Sequence, residues 1–312
     1  MKKILFGLVA GAFLFASCDK VENPYPVDEQ GDYSLFPGGD SATYWATDGP
    51  VFGPNTNTTR NVLIEDFTGH RCNNCPKAAD TAEALHDAYP SRVYVATVHS
   101  GPLGIGTFQQ VLMPDYPTDW TNPDGLDLGM HIFNLPNSGF IGNPSGMVNR
   151  VRANGGTGDI ALAEGTWSNA VSSQLPQTLK VNIQSAANYY ASTRGTFLHT
   201  EIEVLDPAGV NEDSLYTVVY LIEDSLVGAQ LMPDNSLNPT YVHKEIMRDC
   251  ILSGHEGIEI TDEYEVDDDV YRFDYIFELP AQYDATNMHM LIFVRDAVTE
   301  EVYHVIKQKF ID

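Results

Sequence analysis

Cys72 and Cys75 stand two residues apart, with His70 and Arg71 just before them and Pro76 just after. Two thiols at this spacing can form a disulfide that opens and re-forms by exchange, supply half of a zinc site, or act as a structural staple. The zinc alternative would have to recruit His70 or His86, because the chain has no second C-x-x-C and no paired-histidine motif. In the exchange alternative, a reduced Cys72 attacks a substrate disulfide as the thiolate, and Cys75 resolves the mixed disulfide. In the staple alternative, the pair closes once in an oxidising compartment and never reopens.

The flanking residues decide how the thiols are held. Val62, Leu63 and Ile64 begin an apolar run that reads as a buried strand, and Thr68-Gly69 interrupts it. From Cys75 onward Ala78, Ala79, Ala82, Leu85 and Ala88 recur at helical spacing. The cysteines thus sit where a strand hands over to a helix. There the free N–H groups and the helix dipole favour a thiolate. Pro76 suits the first helical turn, which has no intrahelical partner for an N–H. This placement puts Cys72 at the exposed end and Cys75 one turn deeper. Arg71, and His70 when protonated, add positive charge beside Cys72. Glu65 and Asp66 point to opposite faces of the strand, so only one of them can face the cysteines.

The stretch Asp66-Phe67-Thr68-Gly69-His70-Arg71-Cys72-Asn73-Asn74-Cys75 resembles the thioredoxin active-site segment. The resemblance implies that Asp66 is buried behind Cys75 and exchanges a proton with it. Phe140-Ile141-Gly142-Asn143-Pro144-Ser145-Gly146-Met147-Val148 looks like the thioredoxin loop whose cis-proline packs against the disulfide. Pro144 is then the implied cis-proline, and Asp66, Cys72, Cys75 and Pro144 the implied catalytic set. Thioredoxins carry Trp before the first Cys and Gly-Pro between the two, whereas here stand Arg71 and Asn73-Asn74. These positions tune the potential, so oxidant, reductant and isomerase all stay open.

A composition of 43% hydrophobic and 19% charged residues over 312 positions suits a globular protein of two domains. Residues 1–17 read as a secretory signal: Met1-Lys2-Lys3, an apolar run, then Ala16-Ser17. Leu14-Phe15-Ala16-Ser17-Cys18 resembles a bacterial lipobox, which implies an acylated Cys18 as the first mature residue. Acyl chains would then hold the membrane, at about 0.8 kcal/mol per buried CH₂. A net charge of −26 excludes binding of nucleic acid or anionic lipid by charge. Residues 18–59, rich in Pro, Gly, Asp, Asn and Thr, read as a flexible tether. Within it Tyr44-Trp45 and Val51-Phe52 are placed to strap onto the first domain.

Residues 92–99 form a second strand, giving β–α–β with a parallel crossover. Residues 100–137 are loop-like and hold Phe108, Tyr116 and Trp120, an insertion between the cysteines and Pro144. It either borders the disulfide or is remote decoration. Residues 145–151 supply a strand, Asn154-Gly155-Gly156 a turn, and residues 167–175 a closing helix. Beyond residue 176 the period becomes two, and about seven strands read as an antiparallel sandwich. Residues 216–222 and 288–294 are denser apolar runs, and residues 241–253 read as loop or short helix. Asp267-Asp268-Asp269 is a solvated acidic turn without the spaced ligands of a calcium loop. His99, His131, His199, His243, His255, His289 and His304 show no ligand spacing, and Cys250 reads as a small buried hydrophobe.

The expected architecture is therefore an α/β thioredoxin-like domain at 60–175, with an insertion at about 100–137, and an all-β immunoglobulin-like sandwich at 176–312. This layout is similar to the Bacteroidetes outer-membrane lipoproteins named after a twenty-eight-kilodalton outer membrane protein. The resemblance implies attachment to the outer membrane through Cys18 and a surface or adhesive role. Two function classes stay open. One is a lipid-anchored thiol–disulfide oxidoreductase acting on envelope proteins, with the sandwich as its partner-binding module. The other is a surface binding protein whose C-x-x-C is structural. Neither requires a cofactor.

Overall fold

The computed structural model describes residues 31–262, 264–267 and 269–311. The signal segment, Cys18 and Asp268 lie outside the described residues. In chain order come α1 (Ser41–Thr47), β1 (Val62–Phe67), α2 (Cys75–Ala88), β2 (Val93–Val98), α3 (Pro123–Asn134), β3 (Ser145–Val148) and a helix at Trp167–Gln174. The strands that follow are β4 (Val181–Tyr190), β5 (Gly195–Val204), β6 (Leu215–Glu223), β7 (Leu226–Leu231), β8 (Leu237–His243) and β9 (Ile246–Cys250). The last are β10 (Ile258–Glu259), β11 (Tyr264–Asp267), β12 (Val270–Glu278), β13 (Met288–Asp296) and β14 (Val302–Lys309). The fold is mixed α/β, with one large sheet and two smaller antiparallel ones.

The large sheet runs β14-β13-β6-β9-β2-β1-β3, with β10 beside β6. β1 is parallel to β2 and antiparallel to β3. Alternation along β1 sends Val62 and Ile64 into a core with Ala78 and Ala82 of α2, and Leu63 and Phe67 into the opposite core. The sequence reading ended the first unit near residue 175, yet hydrogen bonding crosses that point. β9 pairs with β2 through Thr97 and Ile246, and on its other edge with β6. Residues 241–253, read as loop or short helix, thus contain a strand. Its central Arg248 and Asp249 break the apolar run that would have marked it.

The antiparallel layers expected beyond residue 176 are present, but one of them belongs to the large sheet. The sheet β11-β12-β5-β4 faces β6, β13 and β14 across a core holding Val219, Leu221, Met290 and Ile292. The other faces of β6 and β13 send Val218, Tyr220, Leu291 and Phe293 into the core shared with β1 and α3. That double burial explains their unbroken apolar runs. A free-standing immunoglobulin-like sandwich would leave those faces in solvent.

The expected tether is corrected where it falls within the described residues. Tyr33, Leu35, Phe36 and Tyr44 pack on Tyr190, Phe197 and Ile276 of the β11-β12-β5-β4 sheet, not on the first unit. Tyr44 is fully buried and stacks on Phe197 at 4.5 Å, with Phe36 closing the cluster. The buried apolar surface of these rings outweighs the loop-forming composition around them.

The insertion contains α3, which starts at Pro123 and is capped by the Asn122 side chain accepting from Gly125 N–H at 2.8 Å. Leu128 and Ile132 bury its inner face. Asn154, Gly155 and Gly156 all have positive φ, as a tight turn requires.

Candidate functional site

β1 ends where Thr68 N–H donates to Val98 O at 2.9 Å, and the chain then turns through Gly69. Gly69 is required by close approach, since a Cβ there would lie 2.6 Å from the Phe108 carbonyl oxygen. That same oxygen accepts from Arg71 N–H at 3.0 Å. Cys72 N–H donates to Gly69 O at 3.0 Å, and α2 begins at Cys75 with Pro76 in its first turn. Cys72 and Cys75 are joined in a disulfide with Cα atoms 5.4 Å apart. The sulfurs are bonded to each other, and His86 turns Nδ1 to the Val93 carbonyl at 2.7 Å. Among the described residues no group of three His, Cys, Asp or Glu is placed to hold a metal ion.

Asp66 lies on the α2 face of β1, level with the helix that starts at Cys75, and is 1% exposed. Neither carboxyl oxygen has a hydrogen-bond partner among the described residues. Burial alone pushes its pKa up to about 8. Glu65, on the opposite face, is held by Arg150, whose Nε and Nη2 donate to it at 2.9 and 2.8 Å. The Tyr220 hydroxyl donates to Glu65 at 2.8 Å, and Glu300 accepts from Arg150 Nη1 at 3.2 Å. One neighbour is thus an ion-paired structural group and the other an unpaired buried acid.

The Asn143–Pro144 peptide is cis. Continuing the β1–β3 register, in which Phe67 faces Ser145, places Pro144 opposite Thr68 at the sheet end from which the cysteine segment leaves. The insertion borders this end. Gln109 Nε2 donates to Thr68 O at 2.6 Å and to Asn143 Oδ1 at 3.2 Å.

Cys72 is not at an exposed end. It is 1% exposed and Cys75 is 2% exposed. The cover is the β7–β8 hairpin, a separate two-stranded sheet that sequence reading gave no role. Leu231 N–H donates to His70 O at 2.8 Å, Gln230 Nε2 to Cys72 O at 3.1 Å, and Asn73 Nδ2 to Asn235 Oδ1 at 3.0 Å. The insertion supports the hairpin from behind, because a Cβ on Gly228 would meet the Trp120 ring at 2.3 Å. His70 supplies no charge to Cys72 either, since burial lowers its pKa and it stays neutral. Arg71 lies over the Tyr116 ring at 5.8 Å.

Sequence reading also missed a row of buried histidines behind the hairpin. His99 lies 6.3 Å from His70 and 5.7 Å from His243, ring to ring. Both nitrogens of His99 and Nε2 of His243 lack partners. Burial holds His99 neutral and lowers His243 to about 4. These residues are far apart in the chain, so no spacing could announce them. Cys250 is a buried free thiol in the core beneath Tyr220, as its reading as a small hydrophobe requires.

A cleft of about 200 Å³ opens between α2 and β8. Cys75 and Pro76 form part of its lining, with Tyr241 and His243 on the hairpin side. Cys72 is not among the lining residues.

The profile of the family described as outer membrane protein Omp28 matches residues 136–311. No curated protein matches the chain. Among solved structures, HBP35 of Porphyromonas gingivalis aligns with a TM-score of 0.59 at 17% identity, covering 82% of this chain and 76% of that one. A domain of the outer membrane lipoprotein Omp28 from the same organism aligns over 42% of this chain and 87% of its own, at 22% identity and a TM-score of 0.27. The profile match extends over more than half of the 312 residues and includes β3 and every strand after it. The chain therefore belongs to the outer membrane protein Omp28 family.

Proposed function

We propose that this outer-membrane protein is anchored through an acylated Cys18 and that its Cys72–Cys75 pair carries out thiol–disulfide exchange with envelope proteins. In this reading β1, α2, β2 and β3 form a thioredoxin-like unit, and the facing antiparallel layers help to bind partners. The similarity to the HBP35 structure supports that fold.

The observation that carries the chemistry is Asp66. A carboxyl group buried without a partner costs several kcal/mol, and a static disulfide has no use for it. An exchanging pair does, because the resolving thiol must lose a proton and regain it in each cycle. Asp66 occupies the helix side of β1, and burial leaves it able to hold a proton at neutral pH. With the hairpin raised, Cys72 is the attacking thiolate and Cys75 the resolving one. The second reading, a surface binding protein with a structural disulfide, draws its support from the burial of both sulfurs.

Trapping in the native envelope separates the two. Cys75→Ser should stall as a reducible adduct between Cys72 and a partner, recovered after acid quenching, whereas Cys72→Ser should trap almost nothing. Equal recoveries from both variants would assign the disulfide to structure. Mass spectrometry of the membrane-purified protein checks the anchor, and an unmodified Cys18 or an intact Met1 terminus overturns it.

A further inference from the structure

We propose that the cleft beside Cys75 binds a small cationic thiol, which reduces the Cys72–Cys75 disulfide by attacking Cys75 while the hairpin stays closed. The inference rests on the exchange reading above and names the co-substrate of the same site.

Access comes first. The hairpin seals Cys72 through its bonds to His70, Cys72 and Asn73, so a protein partner must displace it. The cleft reaches the pair from the other side, through Cys75. Its 200 Å³, against the roughly 10–15 Å³ that one water needs on the same measure, accepts a small molecule but not a folded chain.

Charge selects the class. Of the carboxylates lining the cleft, Glu83 is paired with Lys244, and Glu245 with Lys307 at 3.4 Å and His289 at 2.9 Å. Asp87 and Asp224 line it too, and the one lining lysine, Lys244, is ion-paired to Glu83 and acts on these two only at longer range, so among the described residues carboxylates outnumber lysines in the lining four to one. Asp224 only accepts neutral donors, Glu245 N–H at 3.1 Å and the Ser225 hydroxyl at 2.8 Å. The Tyr241 ring adds a face suited to an ammonium group. His243 also lines the cleft, its ring packed on Trp120 at 4.7 Å and on Tyr241 at 4.9 Å, and so fixes the apolar wall on the hairpin side.

The reaction balances as two thiols oxidised for one disulfide reduced. The incoming thiolate forms an S–S bond to Cys75 Sγ, and the Cys72–Cys75 bond breaks with its electron pair on Cys72 Sγ. A second thiolate attacks the small-molecule sulfur of the mixed disulfide and releases the symmetric disulfide and the Cys75 thiolate. The two protons shed by the thiols end on Cys72 and Cys75. The pair is then reduced and ready for a protein disulfide.

The test measures reduction of the purified full-length protein, in detergent at neutral pH and low salt. The thiols are cysteamine, 2-mercaptoethanol and 2-mercaptoethanesulfonate at equal thiolate concentration. Cysteamine should react roughly tenfold faster than the sulfonate, the low end of electrostatic focusing in a charged cleft, and high salt should erase the difference. In Asp87→Asn and Asp224→Asn the ratio of cationic to neutral rates should fall toward one, and taking that ratio within one variant cancels any loss of folded protein. Cystamine should label Cys75 in Cys72→Ser faster than Cys72 in Cys75→Ser. Equal rates for all three thiols overturn the cleft inference and leave the exchange reading standing. Failure of every thiol, dithiothreitol included, to reduce the folded protein overturns the exchange reading and this inference with it.

Discussion

Leu231 N–H donates to the carbonyl of His70 at 2.8 Å, and this bond lays the β7–β8 hairpin over the segment that leads into Cys72. Gln230, one residue earlier, adds a side-chain bond to the cysteine itself, from Nε2 to Cys72 O at 3.1 Å. The disulfide is shielded by a short two-stranded sheet, and such sheets are marginal by themselves. Its opening is therefore set by a few hydrogen bonds and by contact with Trp120.

Gln230→Ala removes one of those bonds, worth about 1 kcal/mol. Opening should become about fivefold more frequent, the same energy expressed as an equilibrium ratio. Reduction of the disulfide by a bulky thiol should accelerate by that factor, while the melting temperature moves little. An unchanged rate would mean that the hairpin does not limit access.

Asp66 makes stability depend on pH. Its pKa is raised from 3.8 to about 8 by burial, so between these values the unfolded chain ionises while the folded chain keeps the proton. The contribution is fully present below 3.8, declines as pH rises, and is lost once pH passes about 8. Asp66→Asn lacks this term. It should exceed the parent in stability at pH 8 by on the order of 5 kcal/mol, with the gap closing toward pH 4. Denaturant titrations of both proteins across this range read the result, and parallel curves would place an ionised carboxylate in the fold.

What was legible in the chain was local. Val62, Leu63 and Ile64, the alanine spacing after Cys75 and the Pro76 start read as β1 and α2 because period and capping act over a few residues. That Glu65 and Asp66 take opposite faces followed from strand alternation, and which of them lies behind the cysteines from the resemblance. The hairpin was illegible because Gln230 and Cys72 lie 158 residues apart and neither type announces the contact. β9 was hidden by Arg248 and Asp249 at its centre, and it is the strand that joins the two halves of the sheet. Residues 31–59 have a linker's composition, and only the depth of Tyr44 in the structure reveals their docking.

Arg150 holds two buried carboxylates, Glu65 and Glu300, and is itself fully buried. Arg150→Met keeps the volume but strands Glu65, whereas Glu300 keeps Arg295 at 3.2 Å and His131 at 2.9 Å. Breaking a buried pair from one side costs about 3–5 kcal/mol, and urea denaturation should show a loss of that order. A further Glu65→Gln change should recover part of it, since an amide needs no counter-charge. If the double variant is no better than the single one, packing around Phe293, 5.7 Å below the guanidinium, is the larger effect.

Tyr44 decides whether residues 31–59 are a strap or a tether. It is fully buried, stacks on Phe197, and accepts from Asn188 Nδ2 at 2.9 Å. Its hydroxyl also meets His199, which in turn faces Asp274 at 2.6 Å. Tyr44→Ala opens an aromatic-sized hole and removes the hydroxyl that meets both Asn188 Nδ2 and His199 Nε2. Large-to-small changes of an aromatic side chain in a core cost about 3–5 kcal/mol, more than so short a segment can lose and stay docked. Limited proteolysis should then cut within residues 31–59 of the variant and leave the parent intact there, while the sheets below remain folded by circular dichroism. Tyr44→Phe keeps the ring and loses only the hydroxyl, so it should stay resistant. Cleavage of parent and Tyr44→Ala at the same rate would return the whole of 18–59 to the role of a free tether.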